Sequence, residues 1–73
     1  MEHALPGDVV TLAVRERGHR FDETGLFQYH INQAMTVGVI WCPVGQRLYV
    51  GTIIEALEPG GKGRKRDIPN ATV

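Results

Sequence analysis

The sequence predicts a small single α+β domain: a twisted antiparallel sheet of about three strands, one short helix and a disordered C-terminal tail. Three observations carry this expectation. The chain has 73 residues, which suffices for one domain and no more. Its hydrophobic content of 42% suits a globule rather than a wholly disordered chain. Runs rich in β-branched residues alternate with Gly- and Pro-bearing turn signals, whereas residues 60–73 have no apolar periodicity.

Pro6-Gly7 signals a turn. Asp8 to Arg15 then reads as a strand, with Val10, Leu12 and Val14 on one face and Val9, Thr11 and Ala13 on the other. Arg15 to Glu23 is polar and charged and contains Gly18, so it is expected to be an exposed loop. Gly25 to Met35 carries two patterns. Phe27, Ile31, Ala34 and Met35 fall on one helical face, and Asp22 or Thr24 suits a helix cap. Phe27, Tyr29 and Ile31 also alternate as a strand would. The helix is preferred, because its stripe continues through 34 and 35 where the alternation fails.

Val37–Cys42 and Arg47–Leu57 are two β-rich runs around Cys42-Pro43-Val44-Gly45-Gln46. Pro43 suits the second position of a type I turn, and Gly45 the left-handed position of a bulge. That turn sets a register in which Trp41 faces Arg47, Ile40 faces Leu48 and Val39 faces Tyr49. Ile40, Leu48, Val50 and Ile54 then share one face, and Val39, Trp41, Arg47, Tyr49 and Ile53 the other. Both faces are apolar, more than one strand and one helix can cover. Pro59-Gly60-Gly61 closes a compact domain of residues 1–59, and residues 60–73 form a flexible basic tail.

The formal net charge is zero but unevenly spread. Residues 1–58 hold four basic and seven acidic side chains, and residues 59–73 four basic and one acidic. An acidic body thus precedes a basic tail. No apolar run approaches the roughly eighteen residues that span a bilayer, so no membrane partner is expected. The first residues have neither a basic n-region nor an apolar h-region and do not read as a signal peptide. Cys42 is the only cysteine, which fits a reducing cytoplasm.

Little here points to catalysis. The sequence has no paired carboxylates, nucleophile elbow or HExxH, and no cofactor is implied. Cys42 with a histidine is conceivable as a thiolate nucleophile, yet a cysteine in a strand before proline more often packs as a small apolar group. His3, His19, His30 and Cys42 match no metal-binding spacing, so no metal is expected. Gly60-Gly61-Lys62-Gly63-Arg64-Lys65-Arg66 superficially suggests a phosphate loop. It fails, because no Ser or Thr follows the lysine and Pro69 lies close behind.

Binding is the better reading. Lys62, Arg64, Lys65 and Arg66 suit an electrostatic arm against phosphates or an acidic surface, or a merely solvating tail. Arg15, Arg17 and Arg20 form a second basic cluster, diluted by Glu16, Asp22 and Glu23. Trp41, Arg47 and Tyr49 are the expected contact residues of the body, with Arg47 stacked on Trp41, because Trp, Tyr and Arg dominate interface hot spots. The alternative is that both aromatics are core.

In length and layout, including Ala4-Leu5-Pro6-Gly7-Asp8-Val9-Val10 and the tail from Lys62, the chain resembles the small RNA-polymerase-binding transcription regulators of Xanthomonas bacteriophages. The resemblance implies a monomer in the bacterial host cytoplasm that binds host RNA polymerase. The implied surface is the N-terminal part of the largest subunit and the nearby flap. Binding there would displace sigma factor, inhibit initiation and promote antitermination, with the basic tail beside nascent RNA. Two other classes compete. A small nucleic-acid-binding domain is disfavoured by the acidic body. A phage structural or oligomeric subunit is allowed, because a free hairpin edge invites strand addition.

Overall fold

The computed structural model describes residues 3–57, and its architecture is all-β. Four antiparallel strands, β1 (Val9–Glu16), β2 (His19–His30), β3 (Val37–Cys42) and β4 (Arg47–Leu57), follow one another in order. Because β1 also pairs with β4, the sheet closes into a barrel. The expectation of an α+β fold is therefore corrected: among the described residues there is no helix, and a fourth strand replaces it.

Two sequence readings failed to produce this strand. The charged stretch expected as a loop instead contains a tight hairpin. Arg17 and Gly18 both have positive φ, 51° and 79°, the twist that a two-residue β-hairpin turn requires. Glu16 then faces His19, Arg15 faces Arg20 and Val14 faces Phe21. The charges are tolerated because Arg15, Arg20 and Asp22 point outward. The expected helix over 25–35 is likewise strand as far as His30. Phe27 pairs with Ile40 and Tyr29 with Val39, so Gln28 is an extra, bulged residue. The bulge sends Phe27 inward and Tyr29 outward, which is why simple alternation fails here. The chain then turns at Asn32, whose Oδ1 accepts hydrogen bonds from the backbone N–H of Thr36 and Val37, each 3.0 Å.

The remaining turns lie nearer expectation. Pro6-Gly7 makes a tight turn, with Asp8 N–H donating to Leu5 O at 3.0 Å and Gly7 at φ 92°. The buried Asp8 carboxylate accepts from Leu5 N–H at 2.8 Å and ties the N-terminal arm to the barrel. In the β3–β4 loop, Gln46 N–H donates to Pro43 O at 3.2 Å, and Gln46 rather than Gly45 takes the left-handed conformation. Pro43 thus opens the turn instead of occupying its second position, and the loop is one residue longer than expected. Cys42 faces Arg47, Trp41 faces Leu48, Ile40 faces Tyr49 and Val39 faces Val50. The predicted register is off by one residue, and a one-residue slip exchanges the faces of a strand.

Phe27, Leu12, Ile40, Ile53, Val10 and Val14 fill the barrel and are fully buried. So small a barrel has little interior, and small residues make the room. A Cβ on Gly38 would stand 2.5 Å from Phe27 Cε1, so this glycine holds the space for the ring.

Candidate functional site

The strand pairing gives the barrel two unlike ends. The Arg17-Gly18 turn and the Pro43–Gln46 loop share one end, the tip. The N-terminal arm, the Asn32 turn and Leu57 share the other, the base. The β1–β4 ladder runs only as far as Ala13 and Thr52, and the β2–β3 ladder only to Leu26 and Trp41. Towards the tip the two hairpins therefore separate. They are bridged there by an edge-on contact of Phe21 with Tyr49, ring centroids 6.0 Å apart, and by the Arg47–Glu16 ion pair.

Of the expected contact residues, the structure keeps Trp41, Arg47 and Tyr49 near one another but not on one face. Tyr49 faces inward with Ile40 and packs against the core. Arg47 lies over the Tyr49 ring, 4.6 Å from its centroid, and pairs with Glu16. The expected stacking of Arg47 on Trp41 is corrected: the slipped register places Trp41 on the outer face, beside Leu26 and Leu48. Arg15, Arg17 and Arg20 gather at the tip, where Arg20 pairs with Asp22 at 3.3 Å. The basic-tail residues Lys62, Arg64, Lys65 and Arg66 lie outside the described residues.

The register also exposes a surface that the sequence reading assigned only in part. Leu26, Trp41 and Leu48 form one outer row across β2, β3 and β4, and Tyr29, Val39 and Val50 form the next. Tyr29 is 56% exposed, Leu48 53%, Val50 49% and Leu26 40%. The buried Val39 lies at the centre of this patch. A contiguous apolar outer face of this kind marks an interaction surface more often than chance exposure does. Sequence could have found it from the alternation in β3 and β4, had the loop length been read correctly. The Tyr29 contribution needed the bulge at Gln28.

Two titratable groups are shifted. Burial pushes the Cys42 thiol up, helped by the Glu23 carboxylate, whose Oε2 lies 3.8 Å from Sγ. The thiol also donates to Thr24 O at 3.3 Å. Little thiolate is therefore present at neutral pH, the reverse of what a nucleophile needs. At the base, burial and then the neighbouring His3 push the His30 imidazole down. The two rings meet edge to face with centroids 6.1 Å apart. Among the described residues, no group of three or more His, Cys, Asp and Glu side chains is placed to hold a metal ion. Nor is any helix there long and apolar enough to cross a membrane.

Fold and surface together define a small antiparallel β-barrel with one apolar outer face and an arginine-bearing tip. Comparison of the chain with protein-family models, with curated proteins and with solved structures finds no match in any of the three.

Proposed function

We propose that this chain is a non-enzymatic docking protein that binds a larger assembly through the outer face of β2, β3 and β4. The observation that carries the reading is the double row of Leu26, Trp41 and Leu48 beside Tyr29, Val39 and Val50. Leu48 and Val50 give up half their surface to water in a barrel that has few apolar residues to spare, and burying them on a partner recovers about 25 cal/mol per Å2 of apolar area. A central Trp and a Tyr within an apolar patch are the side chains that commonly anchor interfaces.

The layout of the chain supports bacterial RNA polymerase as that assembly. On this reading the protein is a phage regulator that displaces sigma factor, inhibits initiation and promotes antitermination by occupying polymerase surface. Direct nucleic-acid binding is the weaker reading for the barrel itself. Residues 3–57 hold five carboxylates against four arginines, and two of those arginines are paired with carboxylates. Strand addition loses the free edge it required over the base half, where the barrel is closed.

The test is co-migration of the full chain with bacterial RNA polymerase on a sizing column, with and without sigma. A complex that excludes sigma and is abolished by Leu48→Asp, with the variant still folded, is the expected result. No complex at near-physiological salt sinks the polymerase reading. A complex unchanged by both Leu48→Asp and Val50→Asp sinks the assignment of the face.

A further inference from the structure

The docking reading leaves the chemistry of the partner surface unspecified, and a cleft at the margin of the apolar face supplies it. Beyond Ala13 and Thr52 the β1–β4 ladder stops, and the two strands part. The opening is a cleft of about 260 Å3, lined by Ala13, Val37, Val50 and Thr52 together with Arg15 and Arg20. Its volume admits a side chain rather than a cofactor. Val50 belongs to both the cleft and the apolar face, so an occupant of one adjoins the other.

The charge arrangement is unusual. Arg15 and Arg20 are directly opposed across β1 and β2, and like charges so placed repel. Asp22 lies 3.3 Å from Arg20 and offsets part of this. Glu16 is engaged by Arg47. Among the described residues Arg15 has no ion-pair partner. Two guanidinium groups lining an open cleft, only one of them paired with a carboxylate, form a site that a second carboxylate would complete, since guanidinium forks match carboxylates geometrically.

We propose that the cleft receives an Asp or Glu carboxylate of the docked partner, from a segment whose adjacent apolar side chain lies on Val50. This rests on the docking reading and states the partner's chemistry: an acidic, apolar-flanked protein segment. A nucleic-acid phosphate fits less well. The neighbouring patch is largely aliphatic, where base stacking needs aromatic platforms.

The experiment is an NMR titration of the labelled full chain with three probes at millimolar concentration. These are a blocked pentapeptide with a central Leu flanked by Glu, its Gln analogue, and an oligothymidylate. The expected result is that the Glu peptide shifts the Arg15 and Arg20 side-chain N–H signals together with the Val50 methyls. The Gln peptide should bind about tenfold more weakly, the loss expected for one charge-assisted contact. Arg15→Gln should bring the Glu peptide to the level of the Gln peptide, while Arg17→Gln, in the turn and outside the cleft, should not. Removing one of two repelling charges does not threaten the fold, and an unchanged thermal transition of Arg15→Gln checks this. Equal binding of both peptides, or no response of Arg15 and Arg20, overturns the proposal. If Trp41 and Leu48 still respond in that case, the docking face stands and only the carboxylate site is lost. A response to the oligothymidylate alone also overturns it, in favour of phosphate.

Discussion

Replacing Gly51 by alanine tests whether barrel closure holds this fold together. Gly51 lies on β4 where that strand packs directly against β1. A Cβ there would stand 2.9 Å from the Ala13 carbonyl carbon, closer still to its oxygen, and 3.3 Å from Leu12 Cβ. The obstructing atoms are backbone, so no rotamer change relieves the clash. β1 and β4 must move apart where their ladder ends, at Ala13 and Thr52. Overpacking of this kind costs about 1–3 kcal/mol, and the rigid obstacle argues for the upper end. Alanine recovers roughly 0.5–1 kcal/mol over glycine by restricting the unfolded chain, so the net loss is about 2 kcal/mol. A domain this small melts roughly 4–8 °C lower per kcal/mol, so Gly51→Ala should lower the midpoint by about 8–16 °C. Gly45→Ala is the control: nothing lies within 4 Å of its Cβ, and its φ is not positive. It should be neutral or slightly stabilising. The assay is thermal or urea unfolding followed by Trp41 fluorescence. A Gly51→Ala midpoint equal to that of Gly45→Ala would refute the close approach of β1 and β4, and with it the closed barrel.

Other predictions follow from the same contacts. His30 is held below its ordinary value of 6.5, so the folded state binds protons less readily than the unfolded one. The contribution of His30 to stability is full above pH 6.5 and is lost as the pH falls from there towards the depressed folded value. Urea midpoints should drop between neutral and mildly acidic pH, and His30→Gln should remove part of that drop. The Arg47–Glu16 pair is about half exposed to solvent, so a double-mutant cycle should return a coupling of no more than about 1 kcal/mol. A coupling above about 2 kcal/mol would mean that the pair is the main clamp of the parted tips. Native Cys42 should react with iodoacetamide much more slowly than the urea-unfolded chain at neutral pH, because the thiol is buried and its ionisation is pushed up. Equal rates would show the tip to be open. Phe27→Ala should cost about 3–5 kcal/mol and leave little folded protein, since its ring fills the barrel.

What the sequence determined by itself is local. The Pro6-Gly7 turn, the inward face of β1 at Val10, Leu12 and Val14, and the two runs Val37–Cys42 and Arg47–Leu57 were all legible, because each depends on φ preferences and side-chain alternation within a few residues. The basic cluster at Arg15, Arg17 and Arg20 was legible as composition, but its place on a hairpin was not. Arg17 takes a left-handed φ that intrinsic preference disfavours, and only the paired arms compensate for it. The face of Trp41 turned on a single hydrogen bond, Gln46 N–H to Pro43 O, which lengthened the loop and exchanged inside for outside along β4. The segment around Phe27 matched a helical stripe better than a strand on local grounds, and the helix was the wrong choice. Tertiary structure decided it, because a strand there supplies backbone partners to both β1 and β3 and places Phe27 in the interior of the barrel. Closure of β1 on β4, and the cleft where that closure stops, arise from pairing between residues some forty positions apart. No local preference encodes such pairing, since its free energy comes from burying one face of every strand at once.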